Sequence, residues 1–401
     1  MRIPDRVRNM GVATIGQGLN FVAMLFPVIG KEAGQLAYLM FPLSLAAVLF
    51  KLGSLSFHVR YLTLKKEQRR LGTAVSLAGL LIFSILTSLL GLICCAWNSY
   101  WGQLLMWAGL LTLSHGLYYM AVAVLITEER EALYGKVRFG YGVLNAVLTA
   151  AVVWLIPFQA GLIVVAFLIT FATGAWMMVK CDNSLVGPFL RELRNILGLG
   201  GRRYIRESWR TTSAVLVSDI GFQIQGFLTP LMGVYQEMWA IVVRLSGGFG
   251  TLGQQIVAPV FEIKMAAGMR DREFATAESW ARKAQLVGLA LALVVVPVQV
   301  GAVMFAGSGE VDNIWQPLAL ISIYTLGLLA SSVSMKSPYI LGHERGMLWW
   351  SILRVILILP MVFLHQLTLL AFMSVAQLLL GALLVPMSVR RSARLEPKLR
   401  G

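Results

Sequence analysis

The chain is 401 residues long, 58% apolar and only 13% charged, with a net charge of +15. A soluble domain carries roughly 25% charged residues, and a globule of this size could not hide so much apolar surface from water. A soluble enzyme, a fibrous protein and a disordered chain are thereby excluded. In a soluble protein the positive excess would suggest nucleic acid; here it sits between apolar runs and points to a membrane surface, with no nucleic-acid partner. Cys94 and Cys95 are adjacent inside an apolar run and Cys181 borders a basic loop, so neither a disulfide framework nor metal-ligand spacing is present.

A membrane-spanning helix needs about 20 apolar residues. Runs of that length are predicted at 10–30, 35–57, 72–96, 102–127, 139–157, 159–180, 211–231, 236–261, 284–306, 314–341, 346–364 and 367–389, twelve in all. The basic start, Met1 to Met10, leads into the first run without a small-residue cleavage site, and the second run follows at once, so the first span is expected to be retained. With the N-terminus inside, the loops of one side hold 29 of the 34 Lys and Arg residues and the opposite side holds Lys31 alone. This asymmetry predicts a cytoplasmic location for both termini. Trp97, Trp101, Trp154, Trp239 and Trp315 fall near the predicted outer ends, where interfacial aromatics belong.

The longest loop separates an N-terminal lobe, 1–182, from a C-terminal lobe, 210–401, which ends in a short basic tail. The linker, 183–209, interleaves Phe189, Leu190, Leu193, Ile196 and Leu197 with Arg191, Arg194, Arg202, Arg203 and Arg206. It reads either as an amphipathic segment on the inner leaflet or as a solvated tether. A weak internal repeat sets Phe26-Pro27-Val28-Ile29-Gly30 beside Thr229-Pro230-Leu231-Met232-Gly233, with Asn20 facing Gln223 and Lys51 facing Gln254. The fold class this predicts is all-α: a polytopic membrane protein of twelve transmembrane helices in two pseudo-symmetric six-helix lobes around a central cationic cavity. Parallel repeats of this kind serve alternating access.

No motif for bond chemistry is present. Gly248-Phe249-Gly250-Thr251-Leu252-Gly253 follows no strand, so it reads as helix packing rather than a nucleotide loop. There is no phosphate-binding Gly-x-x-x-x-Gly-Lys loop, no cofactor is expected, and the outer loops are too short for a catalytic domain; the chain is read as a non-enzyme. What carries information is polarity in hydrocarbon, where a charge at mid-bilayer costs roughly 2.5–3.5 kcal/mol on insertion scales. Arg244 lies roughly 12 Å into its span at 1.5 Å per residue, and Gly248, Thr251 and Gln255 continue its face. Asp219 and Gln223 share a face, as do Gln17 and Asn20. Lys51, Lys336, Arg354 and His115 also lie within spans. Each has a plain reading: snorkelling for Lys51, Lys336 and Arg354, a packing hydrogen bond for His115, helix glue for the amides, and a structural pairing with Arg244 for Asp219. Together the four cations outnumber the one acid by three. That field attracts an anion, and guanidinium suits phosphate.

Two six-helix halves, a basic linker and a cationic interior resemble the multidrug/oligosaccharidyl-lipid/polysaccharide exporter (MOP) superfamily, and within it the Wzx-type polysaccharide flippases. The stretch Ser218-Asp219 through Gly233, Val234-Tyr235, Ala240-Ile241-Val242-Val243-Arg244-Leu245 and Gln255 to Pro259-Val260-Phe261 is similar to the helix 7–8 hairpin of that superfamily, although Gln236 to Trp239 separate Tyr235 from Ala240. The resemblance implies flipping of an undecaprenyl-diphosphate-linked oligosaccharide across the bacterial cytoplasmic (inner) membrane, driven by H+, Na+ or the membrane potential. The product would serve O-antigen, exopolysaccharide or lipopolysaccharide biosynthesis, with a polysaccharide polymerase complex as partner. The absence of further helices after the twelfth argues against lipid II as cargo. On this reading Arg244, Lys51, Arg354, Lys336, Gln17, Asn20, Gln223 and Gln255 bind substrate, Asp219 and His115 couple the ion, and membrane lipids surround the bundle. The alternative is a MATE-like ion-coupled antiporter of small molecules; a membrane enzyme of polysaccharide assembly is opposed by the short outer loops.

Overall fold

The computed structural model describes residues 5–61, 64, 66–181, 186–306 and 313–395, and among them every regular element is helical. Arg2, Lys65, residue 182 and the first part of the expected linker (183–185), and the tail from 396 onward lie outside the described residues. Among the described residues, nine helices are long and apolar enough to cross a membrane, or ten if the bent pair around 217–219 is one span. The chain is a multi-pass membrane protein, and it divides into two units, Met1–Phe227 and Leu228–Gly401.

In the first unit the order is α1 (Asp5–Ala23), α2 (Phe26–Ile29), α3 (Ala33–Gly53), α4 (Phe57–Arg60), α5 (Lys66–Cys94), α6 (Ser99–Thr127), α7 (Glu131–Ala150), α8 (Gly161–Lys180), α9 (Val186–Ile196) and α10 (Leu199–Phe227). Lipid tails are as apolar as leucine, so helices in a bilayer associate through close packing and hydrogen bonds rather than through escape from water. Small residues therefore mark the crossings. A Cβ on Gly142 of α7 would run into the Gly16 carbonyl of α1, one on Gly79 of α5 into the Gly53 carbonyl of α3, and one on Gly226 of α10 into the Ser44 hydroxyl of α3. Hydrogen bonds fasten three other helices to α6: Ser84 of α5 donates to the Gly109 carbonyl at 2.7 Å, Tyr38 of α3 to Gln103 at 2.9 Å and Thr170 of α8 to Ser114 at 2.8 Å. The α5–α6 turn ends where the Asn98 side chain accepts from the Trp101 backbone N–H at 3.2 Å, a standard helix start.

In the second unit the order is α11 (Gln236–Leu252), α12 (Ala258–Arg270), α13 (Phe274–Ala306), α14 (Trp315–Ser332), α15 (Ser337–Ile340), α16 (Glu344–Ile356), α17 (Ile358–Met361) and α18 (Gln366–Leu395). Gly327 of α14 and Gly381 of α18 meet backbone to backbone, and Gly288 of α13 abuts the Leu329 carbonyl. Gln299, 1% exposed inside α13, donates to the Val242 carbonyl of α11 at 3.1 Å and accepts from Thr325 of α14 at 2.7 Å. One amide thus ties three helices.

Several expectations are revised. Span 8, 236–261, is α11 and α12 joined by a π-helical turn, Gly253–Val257. A π turn is wider than an α turn, so the helical register shifts between α11 and α12. Span 11, 346–364, is two pieces, α16 and α17. The unit boundary falls after Phe227, so α10 groups with the first unit because it packs along α3. Trp239, expected at an interface, is fully buried with its ring 4.7 Å from that of Tyr324, whereas Trp97 and Trp315 are exposed. The aligned proline stretches both form short breaks, α2 in the first unit and the 3-10 turn Thr229–Tyr235 in the second. The second break closes at Gly233, whose φ of 55° and ψ of −126° exclude residues with a Cβ.

Gly142→Leu should wedge α1 off α7 and cost about 1–3 kcal/mol, the usual penalty of overpacking. Gly140 has open space where its side chain would be. In detergent, thermal unfolding should show a clear loss for Gly142→Leu and none for Gly140→Leu.

Candidate functional site

In the first unit, two of the expected charged residues meet where α3 packs along α10. Lys51, in the last turn of α3, makes a direct ion pair with Asp219 of α10, and the two side chains are 17% and 18% exposed. Both are mostly out of water, and each makes the other tolerable there. An aromatic wall stands beside them. Phe50 stacks on Tyr119 of α6 with ring centroids 4.9 Å apart and planes 1° from parallel. The His58 ring lies 5.8 Å from Phe50 and 6.1 Å from Tyr119. Burial and then the Lys51 charge hold His58 down to about 4, so it is neutral at pH 7. Arg138 of α7 donates to the Tyr134 hydroxyl at 3.0 Å. Asp219 is thus partnered by the ammonium of Lys51, and Gln223, half-buried, follows one turn later on the same helix.

Asn20 accepts from Asn145 of α7, which in turn accepts from Thr149 at 3.2 Å. This ladder pins α1 to α7, the helix-glue alternative for that residue; Gln17 is half-buried on the same helix. His115 places Nδ1 3.0 Å from the Leu111 carbonyl of its own helix, where a ring N–H donates. That is a packing hydrogen bond.

In the second unit the three expected cations have three different surroundings. Arg244 is half-buried on α11. Arg354 is 3% exposed, with its guanidinium 4.6 Å from the centre of the Trp350 ring, and Trp350 itself donates to the Leu380 carbonyl at 3.0 Å. Lys336 caps α15, is 62% exposed, and pairs with Glu262 of α12 at 3.1 Å. Glu262 lies just past the expected end of span 8, so it escaped the charge count, and it gives Lys336 a counter-charge. The side chain of Gln255 lies outside the described residues.

Residues missed from the sequence are Glu262, Gln299, Asn145 and Tyr119. Gln299 and Asn145 carried the same signal as the residues that were chosen, an amide inside an apolar run. Tyr119 gave none until Phe50 was seen against it.

No protein-family model matches the chain, and no curated protein is significantly similar to it. Solved structures are similar in fold. An inward-facing multidrug resistance MATE family transporter of the MOP superfamily aligns over 98% of this chain and 94% of its own, with a TM-score of 0.57 and 14% identity. A mutant of the Vibrio cholerae MATE transporter VcmN aligns over 97% of both chains, at 0.54 and 13%. A MATE protein in a bent conformation aligns over 99% of this chain and 96% of its own, at 0.50 and 16%. The chain therefore has the all-helical, MATE-like fold found in transporters of the MOP superfamily.

Lys51→Met should leave a lone carboxylate in a mostly buried setting, and Asp219→Leu a lone ammonium. Each should cost about 3 kcal/mol, as broken buried pairs do. The double variant should recover most of that loss. Thermal unfolding of the four proteins, read as a double-mutant cycle, checks this.

Proposed function

We propose that the protein is a transporter that flips an undecaprenyl-diphosphate-linked oligosaccharide from the inner to the outer leaflet of a bacterial cytoplasmic membrane, by alternating access coupled to H+, Na+ or the membrane potential. The observation that carries the reading is the sign of the charge at membrane depth. Lys51, Arg244, Lys336 and Arg354 lie in or at the ends of apolar helices, against the acids Asp219 and Glu262. Maintaining such cations in hydrocarbon is expensive, and a diphosphate is the kind of cargo that repays it through charge-assisted hydrogen bonds. The fold supports transport rather than catalysis. Both termini are cytoplasmic in this reading, and the exported unit serves O-antigen or exopolysaccharide assembly.

Deleting the gene in a polysaccharide-producing host should trap lipid-linked repeat units on the cytoplasmic side; unchanged surface glycan would overturn the assignment. Restoring the gene with Arg244→Ala should leave insertion normal and export abolished.

A second reading is favoured by one observation: solved structures of similar fold are MATE transporters, one of them described as a multidrug resistance transporter. An antiporter of cationic compounds needs acids facing its cargo, and here Asp219 and Glu262 each hold a lysine. If this reading were correct, expression in a sensitive host would raise resistance to cationic dyes. The flippase reading expects no change.

A further inference from the structure

Resting on the anionic cargo just proposed, we infer that Asp219 is a competitor for Lys51: the cargo's diphosphate displaces the carboxylate, and the freed carboxylate takes up a proton, so that anion binding and proton uptake occur together.

The inference starts from the ion pair between α3 and α10. A lysine has one charge to give. While Asp219 holds it, a second anion meets a neutral pair rather than a cation. For the anion to bind Lys51, the existing pair must open. The carboxylate left behind is mostly out of water and has lost its counter-charge, and a lone buried charge is costly until a proton neutralises it. The balance is simple: one ion pair breaks, one ion pair forms, and one proton moves from solvent to a carboxylate oxygen of Asp219. Both side chains keep partial exposure, 17% and 18%.

The surroundings favour a paired exchange over a free charge. Among the described residues, the other groups that reach this pair are His58 of α4, Tyr119 of α6 and, through Tyr119, Arg138 of α7. His58 is neutral at pH 7 and takes no part in the exchange. Arg138 is engaged by the Tyr134 hydroxyl. Asp219 is then the group whose protonation answers the arrival of the anion.

The sign follows by linkage. A ligand whose binding takes up a proton binds more tightly as pH falls. Protons and Lys51 compete for the same carboxylate, so lowering the pH weakens the competitor. Asp219→Asn removes the competitor at every pH. It should therefore bind more tightly at pH 8 and lose the protein's share of the pH dependence.

The test is calorimetric titration of the full-length protein in detergent with inorganic diphosphate, at pH 6 and pH 8. The probe's own titration is common to all variants and cancels between them. Asp219→Asn, and independently Asp219→Ser in case one of them folds poorly, should bind about tenfold more tightly than wild type at pH 8, within the usual range for coupled sites. The gap should narrow at pH 6. Lys51→Gln should lose most of the affinity at both pH values. If the Asp219 variants bind no more tightly than wild type at pH 8, competition is refuted while the anionic-cargo reading stands. If Lys51→Gln binds as wild type does, Lys51 is not the anion's partner and the inference fails. If diphosphate binds to none of the proteins, the cargo reading itself fails along with it.

Discussion

An ammonium and a carboxylate that leave water together cost far less than either one alone, and the contact between Lys51 and Asp219 is where this chain relies on that rule most plainly. It joins α3, near the start of the chain, to α10, at the far end of the first unit. Along the same seam Gly226 abuts Ser44. The charge pair and the close approach of the helices need each other. Without the small residue the backbones could not come near enough, and without the opposite charge neither polar side chain could be left at that depth.

The remainder of the structure repeats this logic with weaker groups. Hydrocarbon supplies no hydrogen bonds, so many of the amides and hydroxyls inside each unit pair with a neighbouring helix or with their own. Gln299 bridges Val242 and Thr325, Asn145 bridges Thr149 and Asn20, and Thr170 meets Ser114. Arg354 takes a different course, with its guanidinium over the Trp350 ring, where the negative face of the aromatic system offsets part of the lost hydration. Lys336 keeps a largely exposed head and a carboxylate neighbour. Asn20 and His115 make hydrogen bonds within the first unit, and Lys51 and Asp219 hold each other.

Much of the architecture was legible in the sequence, since the period and length of apolar runs are read directly by a bilayer. The first six predicted spans correspond to helices at nearly the same residues, and so do 284–306, 314–341 and 367–389. What failed to show has physical causes. The π turn at Gly253–Val257 leaves hydropathy unchanged while altering register. Trp239 looked interfacial because its position near a helix end says nothing about which way the ring packs. The Lys51–Asp219 partnership spans most of the first unit, and pairwise contact at that separation cannot be read from helical periodicity. Glu262 was overlooked because it lies one residue beyond a predicted boundary, where an acid looks solvated. Residue types could be shortlisted; which of them meet was decided by helix packing.

The central claim is that the cations in this bundle serve an anionic, lipid-anchored saccharide. Its most direct test is reconstitution of the purified protein in vesicles loaded on the inner leaflet with undecaprenyl-diphosphate-linked oligosaccharide, followed by an impermeant lectin that reports sugar on the outer surface. Under an imposed ion gradient or membrane potential, lectin binding should rise with time in vesicles that hold the protein and stay flat in protein-free vesicles. A flat trace with protein present, in vesicles that still take up a cationic dye, would contradict the account.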